Sequence, residues 1–130
     1  MKSLFKRRVP VNSENFEKKI FEMHAELCKT LSNPKRLEIL SILRGGEKQA
    51  GEISTYLKIS KANLSQHLSI LKQKKLILQR RSGVNLFYRV ADPRVYKGYD
   101  CLRDILLTQL QEHNKFYTNI NFKEAQNANI

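Results

Sequence analysis

The strongest constraint on the fold is a break of three residues, Lys58-Ile59-Ser60, between two short stretches whose apolar residues recur at helical spacing. Before the break, Ala50 to Leu57 reads as a helix with Ile53, Tyr56 and Leu57 turned inward. After it, Ser60 is placed to cap a helix running to about Lys74, with Leu64, Leu68 and Leu71 as its buried stripe and Ile70 flanking. Two helices joined by so short a turn form a helix-turn-helix unit. Directly behind them, Leu76 to Arg81 and Leu86 to Val90 are strand-like runs joined by Ser82-Gly83-Val84-Asn85, whose Gly and Asn tolerate positive φ. A hairpin in that place makes the unit a winged helix.

The flanking segments complete a mainly α fold with a small β-hairpin wing. Ser13 can cap a first helix in which Phe16, Ile20, Met23, Leu27 and Leu31 fall at three- and four-residue steps. Asn33-Pro34 restarts the chain as a second helix, carrying Leu37, Leu40, Ile42 and Leu43 and stopping at Gly45-Gly46. Asp92-Pro93 opens a long last helix with Val95, Tyr99, Leu102, Leu106, Leu110, His113 and Tyr117 along one seam. The domain expected is 13–118, between a flexible basic arm over 1–12 and a flexible tail over 119–130. The first and last seams are longer than a compact winged helix needs. The expectation is a dimer interface built from these two long helices; the other reading is that each covers the core of its own chain.

Charge gives the first pointer to a partner. The 130 residues carry 24 Lys plus Arg against 12 Asp plus Glu, a formal net charge of +12. Their placement is uneven: from Ile53 to Ala91, 39 residues hold no acid and eight Lys or Arg. A surface of one sign that long suits a run of phosphates, where each neutralised phosphate releases counterions. Within it, the start of the fourth helix offers Ser60, Lys61, Asn63, Ser65, Gln66 and His67, all hydrogen-bonding side chains, where a recognition helix meets base edges. Asn63 reads either as a base contact or as part of the helix cap. Arg80, Arg81 and Asn85 in the wing could reach the minor groove or backbone, and Lys72 a phosphate. Lys35, followed by Arg36, stands at a helix N-terminus that attracts anions through its free N–H groups.

Several classes are excluded or disfavoured. No run approaches the roughly 18 apolar residues of a membrane span, so no membrane partner is expected. The basic start lacks the apolar stretch of a secretory leader, which points to the cytoplasm. No phosphate loop, nucleophile elbow or paired-carboxylate arrangement suggests an enzyme, and no cofactor is expected. The rival partner is RNA, as for a ribosome-associated winged helix. Single-stranded RNA wants aromatic platforms, and Phe87 and Tyr88 share a strand with one side turned to the core.

Three segments resemble the ArsR/SmtB family: Leu31-Ser32-Asn33-Pro34-Lys35-Arg36-Leu37-Glu38-Ile39-Leu40, then Ser60-Lys61-Ala62-Asn63-Leu64-Ser65-Gln66-His67-Leu68-Ser69-Ile70-Leu71, and Phe87-Tyr88-Arg89-Val90. The resemblance spans roughly Phe21 to Gln111. It implies a homodimeric repressor that binds double-stranded DNA at an imperfect inverted repeat and leaves it when an inducer binds. Two positions depart from the pattern: Lys75 stands where the family commonly has Gly, and Val84 where it usually has a basic residue.

The inducer is less legible. Gln49, Ala50 and Gly51 occupy the stretch where metal-sensing relatives carry a Cys-x-Cys pair. Of the last-helix pattern, Asp100 and His113 are present, but Leu102 and Phe116 stand at the other two places. No metal site is therefore expected, and His24 and His113 read as interface polar groups. Cys28 and Cys101 read first as small buried residues with no redox task, and otherwise as a redox sensor.

Overall fold

The structure, a computed structural model, describes residues 13–113. The elements are α1 (Ser13–Leu31), α2 (Pro34–Leu43), β1 (Lys48–Gln49), α3 (Ala50–Leu57), α4 (Lys61–Gln73), β2 (Ile77–Ser82), β3 (Asn85–Val90) and α5 (Val95–His113). The expected arm over 1–12, the end of the domain over 114–118 with Tyr117, and the tail over 119–130 lie outside the described residues.

Local chemistry sets most of these boundaries. Asn33 Oδ1 accepts from the N–H groups of Lys35 at 2.9 Å and Arg36 at 3.2 Å, and Pro34 takes the first helical position, so α2 starts there. Ser60 Oγ accepts from the Asn63 N–H at 3.1 Å and starts α4. The capping atom is thus the serine's, and the Asn63 side chain stays exposed.

Both helices of the helix-turn-helix end the same way. Lys58 (φ 55°) and Lys75 (φ 59°) adopt the left-handed conformation. Around each, two bonds reach back over the last turn: Lys58 N–H to Thr55 O and Ile59 N–H to Ser54 O, then Lys75 N–H to Lys72 O and Leu76 N–H to Leu71 O. This arrangement satisfies the orphan carbonyls, and glycine is its usual centre. The lysine at position 75, unusual by family resemblance, therefore holds a left-handed backbone that glycine would adopt without strain.

The strands form one antiparallel sheet in the order β1-β3-β2, with Gln79 opposite Tyr88 and Arg80 opposite Phe87. β1 was not expected. It is two residues long, too short to display an alternating pattern, and exists only by pairing Lys48 with Tyr88 and Gln49 with Phe87.

The core gathers Ile39, Leu40 and Leu43 from α2, Ile53 and Leu57 from α3, and Leu64, Leu68 and Leu71 from α4. Leu76, Ile77, Tyr88 and Tyr96 close it. One expectation fails here: Tyr56 is 73% exposed. Ile53 and Leu57, four residues apart, fix the buried line of α3, and Tyr56 falls to its side. The long seams are split too. Leu27, Leu31, Val95 and Tyr99 pack on the core, whereas Phe16, Met23, Leu102 and Leu106 face outward.

Replacing Lys75 by glycine should raise stability by about 0.5 kcal/mol: the roughly 1–2 kcal/mol cost of a left-handed side-chain-bearing residue, less the roughly 0.5–1 kcal/mol that glycine loses in chain entropy. Lys75→Ala, which keeps the strain, should give no such gain. Chemical denaturation of the two variants checks this.

Candidate nucleic-acid interface

The leucines of α4 decide what its other side presents. With Leu64, Leu68 and Leu71 inward, Lys61, Asn63, Ser65, Gln66 and Ser69 are exposed. Ser60 sits at the same end, its oxygen committed to the cap and its O–H still a donor. No acidic side chain interrupts this face, because the chain from Ile53 to Ala91 contains none.

His67 is placed differently. It is half-buried, and its Nδ1 is shielded from solvent with no hydrogen-bond partner among the described residues. Burial pushes its pKa down, and the cations of Arg36 and Lys35 at the start of α2 add to the effect. Both effects favour the neutral imidazole, which belongs to the joint between α2 and α4 more than to the exposed reading face.

The start of α2 is also partly committed. Arg36 Nε donates to the Thr30 carbonyl at 2.6 Å, holding the end of α1. Lys35 Nζ lies 3.1 Å from Glu38 across one helical turn and remains partly exposed. An exposed pair of this kind contributes well under about 1 kcal/mol, so a phosphate can displace it.

Strand alternation separates the wing cations that the sequence placed together. Ile77, Gln79 and Arg81 lie on one face of β2, opposite Val90, Tyr88 and Leu86. This face meets α4: Lys72 Nζ donates to Gln79 Oε1 at 3.0 Å, and Tyr88 Oη donates to the same oxygen at 3.3 Å. Arg81 is exposed on it, and among the described residues no acid pairs with its guanidinium. Arg80 lies on the opposite face, its guanidinium 4.6 Å from the centre of the Phe87 ring. It donates to both carboxylate oxygens of Glu47, at 2.6 and 3.1 Å, which holds that carboxyl below the usual carboxylate range. Arg80 thus braces the wing against the β1 segment, and its charge is already matched.

Asn85 is drawn into a similar brace, its Oδ1 accepting from Gln49 Nε2 at 2.8 Å. Sequence reasoning missed Glu47 and Gln49, whose partners lie 33 and 36 residues away, and Gln79, whose partners Lys72 and Tyr88 sit on two other elements. Between α4 and the wing runs an open cleft of about 260 Å³, lined by Lys61, Leu64, Ser65, Val84, Asn85 and Leu86 among others. Val84, at the wing tip, is 93% exposed.

The sensor candidates lie away from this face. Cys28 on α1 and Cys101 on α5 are both free and exposed in the single chain. Asp100, the acid of the partial metal pattern, is taken by Arg44 through two bonds of 2.6 and 2.9 Å. Among the described residues, no group of three or more His, Cys, Asp or Glu is arranged to hold a metal ion.

Residues 33–77, from the cap of α2 to the start of β2, match the model of the bacterial regulatory proteins of the arsR family. The transcriptional repressor SdpR of Bacillus subtilis is 43% identical over 60 residues, covering 46% of this chain and 67% of that protein. The biofilm growth-associated repressor of Xylella fastidiosa strain Temecula1 is 34% identical over 96 residues, 74% of this chain and 83% of that one. Among solved structures, the homodimeric winged helix-turn-helix DNA-binding domain Mb0332 of Mycobacterium bovis superposes with a TM-score of 0.68 at 28% identity, covering 75% of this chain and 91% of that one. The chain belongs to the arsR family of bacterial regulatory proteins, and it is a winged helix-turn-helix DNA-binding transcription regulator, not an enzyme.

Proposed function

We propose that the protein is a cytoplasmic repressor that binds an imperfect inverted repeat in double-stranded DNA as a homodimer and is released by oxidation of its thiols. The observation that carries the DNA reading is the acid-free exposed side of α4, continued by Arg81 on the wing face that meets it. In this reading Lys61, Asn63, Ser65 and Gln66 meet base edges in the major groove. Ser60, Lys35, Lys72 and Arg81 hold phosphates, and Arg80, Asn85 and His67 act indirectly by fixing the wing and the joint between α2 and α4. Repression is supported by the names of SdpR and the Xylella protein.

The dimer is supported by apolar surface that nothing in the described chain covers. Phe21 is 71% and Leu102 70% exposed, with Met23, Ile105 and Leu106 also outward on the same two helices. A single soluble domain gains by burying such stripes against a second copy. The similar Mycobacterium bovis domain is homodimeric. A two-fold dimer carries its recognition helices about 34 Å apart, one turn of DNA, which is why an inverted repeat is the target. The switch is supported by the exposure of both thiols on α1 and α5, the helices that would form the interface. Oxidation there introduces polar sulfur or a cross-link where apolar packing is needed.

Five outcomes are expected. On the duplex upstream of its own gene, Gln66→Ala should lose about 1–3 kcal/mol of preference over random duplex. Arg81→Ala should weaken both duplexes alike and lower the salt slope by about one; equal loss on both duplexes for Gln66→Ala would remove it as a reader. A Phe21→Glu, Leu102→Glu double variant should sediment as a monomer and bind the operator weakly. Mild oxidation should release the wild-type protein, while Cys28→Ser, Cys101→Ser should stay bound; full release of that variant would assign the inducer elsewhere. In a reporter strain, deletion should raise transcription from the site, and a fall would assign activation instead.

A further inference from the structure

α5 is fastened to the rest of the domain at one end. Tyr96 lies in the core and Val95 and Tyr99 pack against it, but beyond Asp100 no apolar side chain of α5 does so among the described residues. The fastening converges on Arg44, at the end of α2. Its guanidinium lies 4.3 Å from the centre of the Tyr96 ring and 5.4 Å from that of Tyr99, and donates to both oxygens of Asp100 at 2.6 and 2.9 Å. The two phenols continue along α2: Tyr96 Oη donates to the Leu40 carbonyl at 2.6 Å, and Tyr99 Oη to that of Leu37 at 3.4 Å. Arg103, one turn on, adds a second positive charge facing Asp100.

We propose that Arg44 is a positioning residue for DNA binding: it fixes the angle at which α5 leaves the reading head, and so the half-site spacing that the dimer accepts. This rests on the dimer reading above. From Asp100 to His113, α5 extends as a rod of about 20 Å, and a swing of roughly 10° at its root moves the far end by about 3.5 Å, the rise of one base pair. A planar fork and ring stacking define an angle; a lysine supplies charge but neither of these. The pair is a third to a half exposed, so its contribution to stability is small, and what its loss changes is mainly direction.

The test uses the inverted repeat footprinted upstream of the protein's own gene, with its centre lengthened or shortened by one or two base pairs, and an isolated half-site. One added pair also turns the second half-site by about 35°, so wild-type protein should lose about tenfold or more in affinity on the altered spacings. Arg44→Ala, Arg44→Lys and Asp100→Asn should accept the altered spacings within about threefold of the original, with half-site affinity and dimer mass unchanged. Asp100→Asn, which leaves the Arg44 stacking in place, guards against a folding defect in the Arg44 variants. Retention of the wild-type spacing preference by the variants would overturn the proposal. So would a loss of half-site affinity equal to the loss on the full repeat, because that marks general damage. A wild-type protein that sediments as a monomer, or shows no spacing preference, would overturn the dimer reading and this proposal with it.

Discussion

Burial of Leu64, Leu68 and Leu71 along one side of α4 is the interaction on which the rest depends. Each is almost wholly removed from water, and each such side chain contributes about 1.5–3 kcal/mol. They meet Ile39, Leu40 and Leu43 of α2 and Ile53 and Leu57 of α3 in a single cluster. That cluster fixes the rotation of α4 about its own axis, so Lys61, Asn63, Ser65 and Gln66 point outward together. A helix free to roll would average those directions, and a face of hydrogen-bonding groups would no longer be a pattern. The core is thus the source of the reading surface as well as of stability.

Charge pairing sharpens the same surface. Asp100 takes Arg44, Glu47 takes Arg80, Asp92 takes Arg94 and Glu38 reaches Lys35. These acids match cations at the two ends of α2, on the wing beside the β1 segment and before α5. On the side of α4 and the adjoining wing face, Lys61 and Arg81 pair with no acid among the described residues, and Lys72 is held by the neutral amide of Gln79.

The sequence disclosed what is encoded locally and hid what is made by distant partners. The caps at Asn33 and Ser60 and the bounds of α3 come from neighbouring residues and stand where the pattern put them, while each hairpin strand runs one residue further into the turn, Ser82 and Asn85 pairing where a turn was expected. Tyr56 went astray because a helix of eight residues defines its buried line with only two side chains. β1 was invisible because its two residues are a strand only by virtue of β3. In the candidate site, α4 was legible as a run of polar side chains, whereas Arg80 and Arg81 looked alike until strand parity sent them to opposite faces. The partners Glu47 and Asp100 lie 33 and 56 residues from the arginines they hold. No periodicity reaches that far.

The two left-handed lysines bear on the thermodynamics of association. Lys58 and Lys75 bracket α4, one just before its cap and one just after its last turn. Glycine at these joints would relieve strain in the folded chain while widening the set of shapes open to the unfolded one. For a lysine the favoured wells lie outside the left-handed region, so the folded core must hold each joint in its turn. In return both ends of α4 keep a cation that glycine would remove, and the free energy of meeting a polyanion includes that charge.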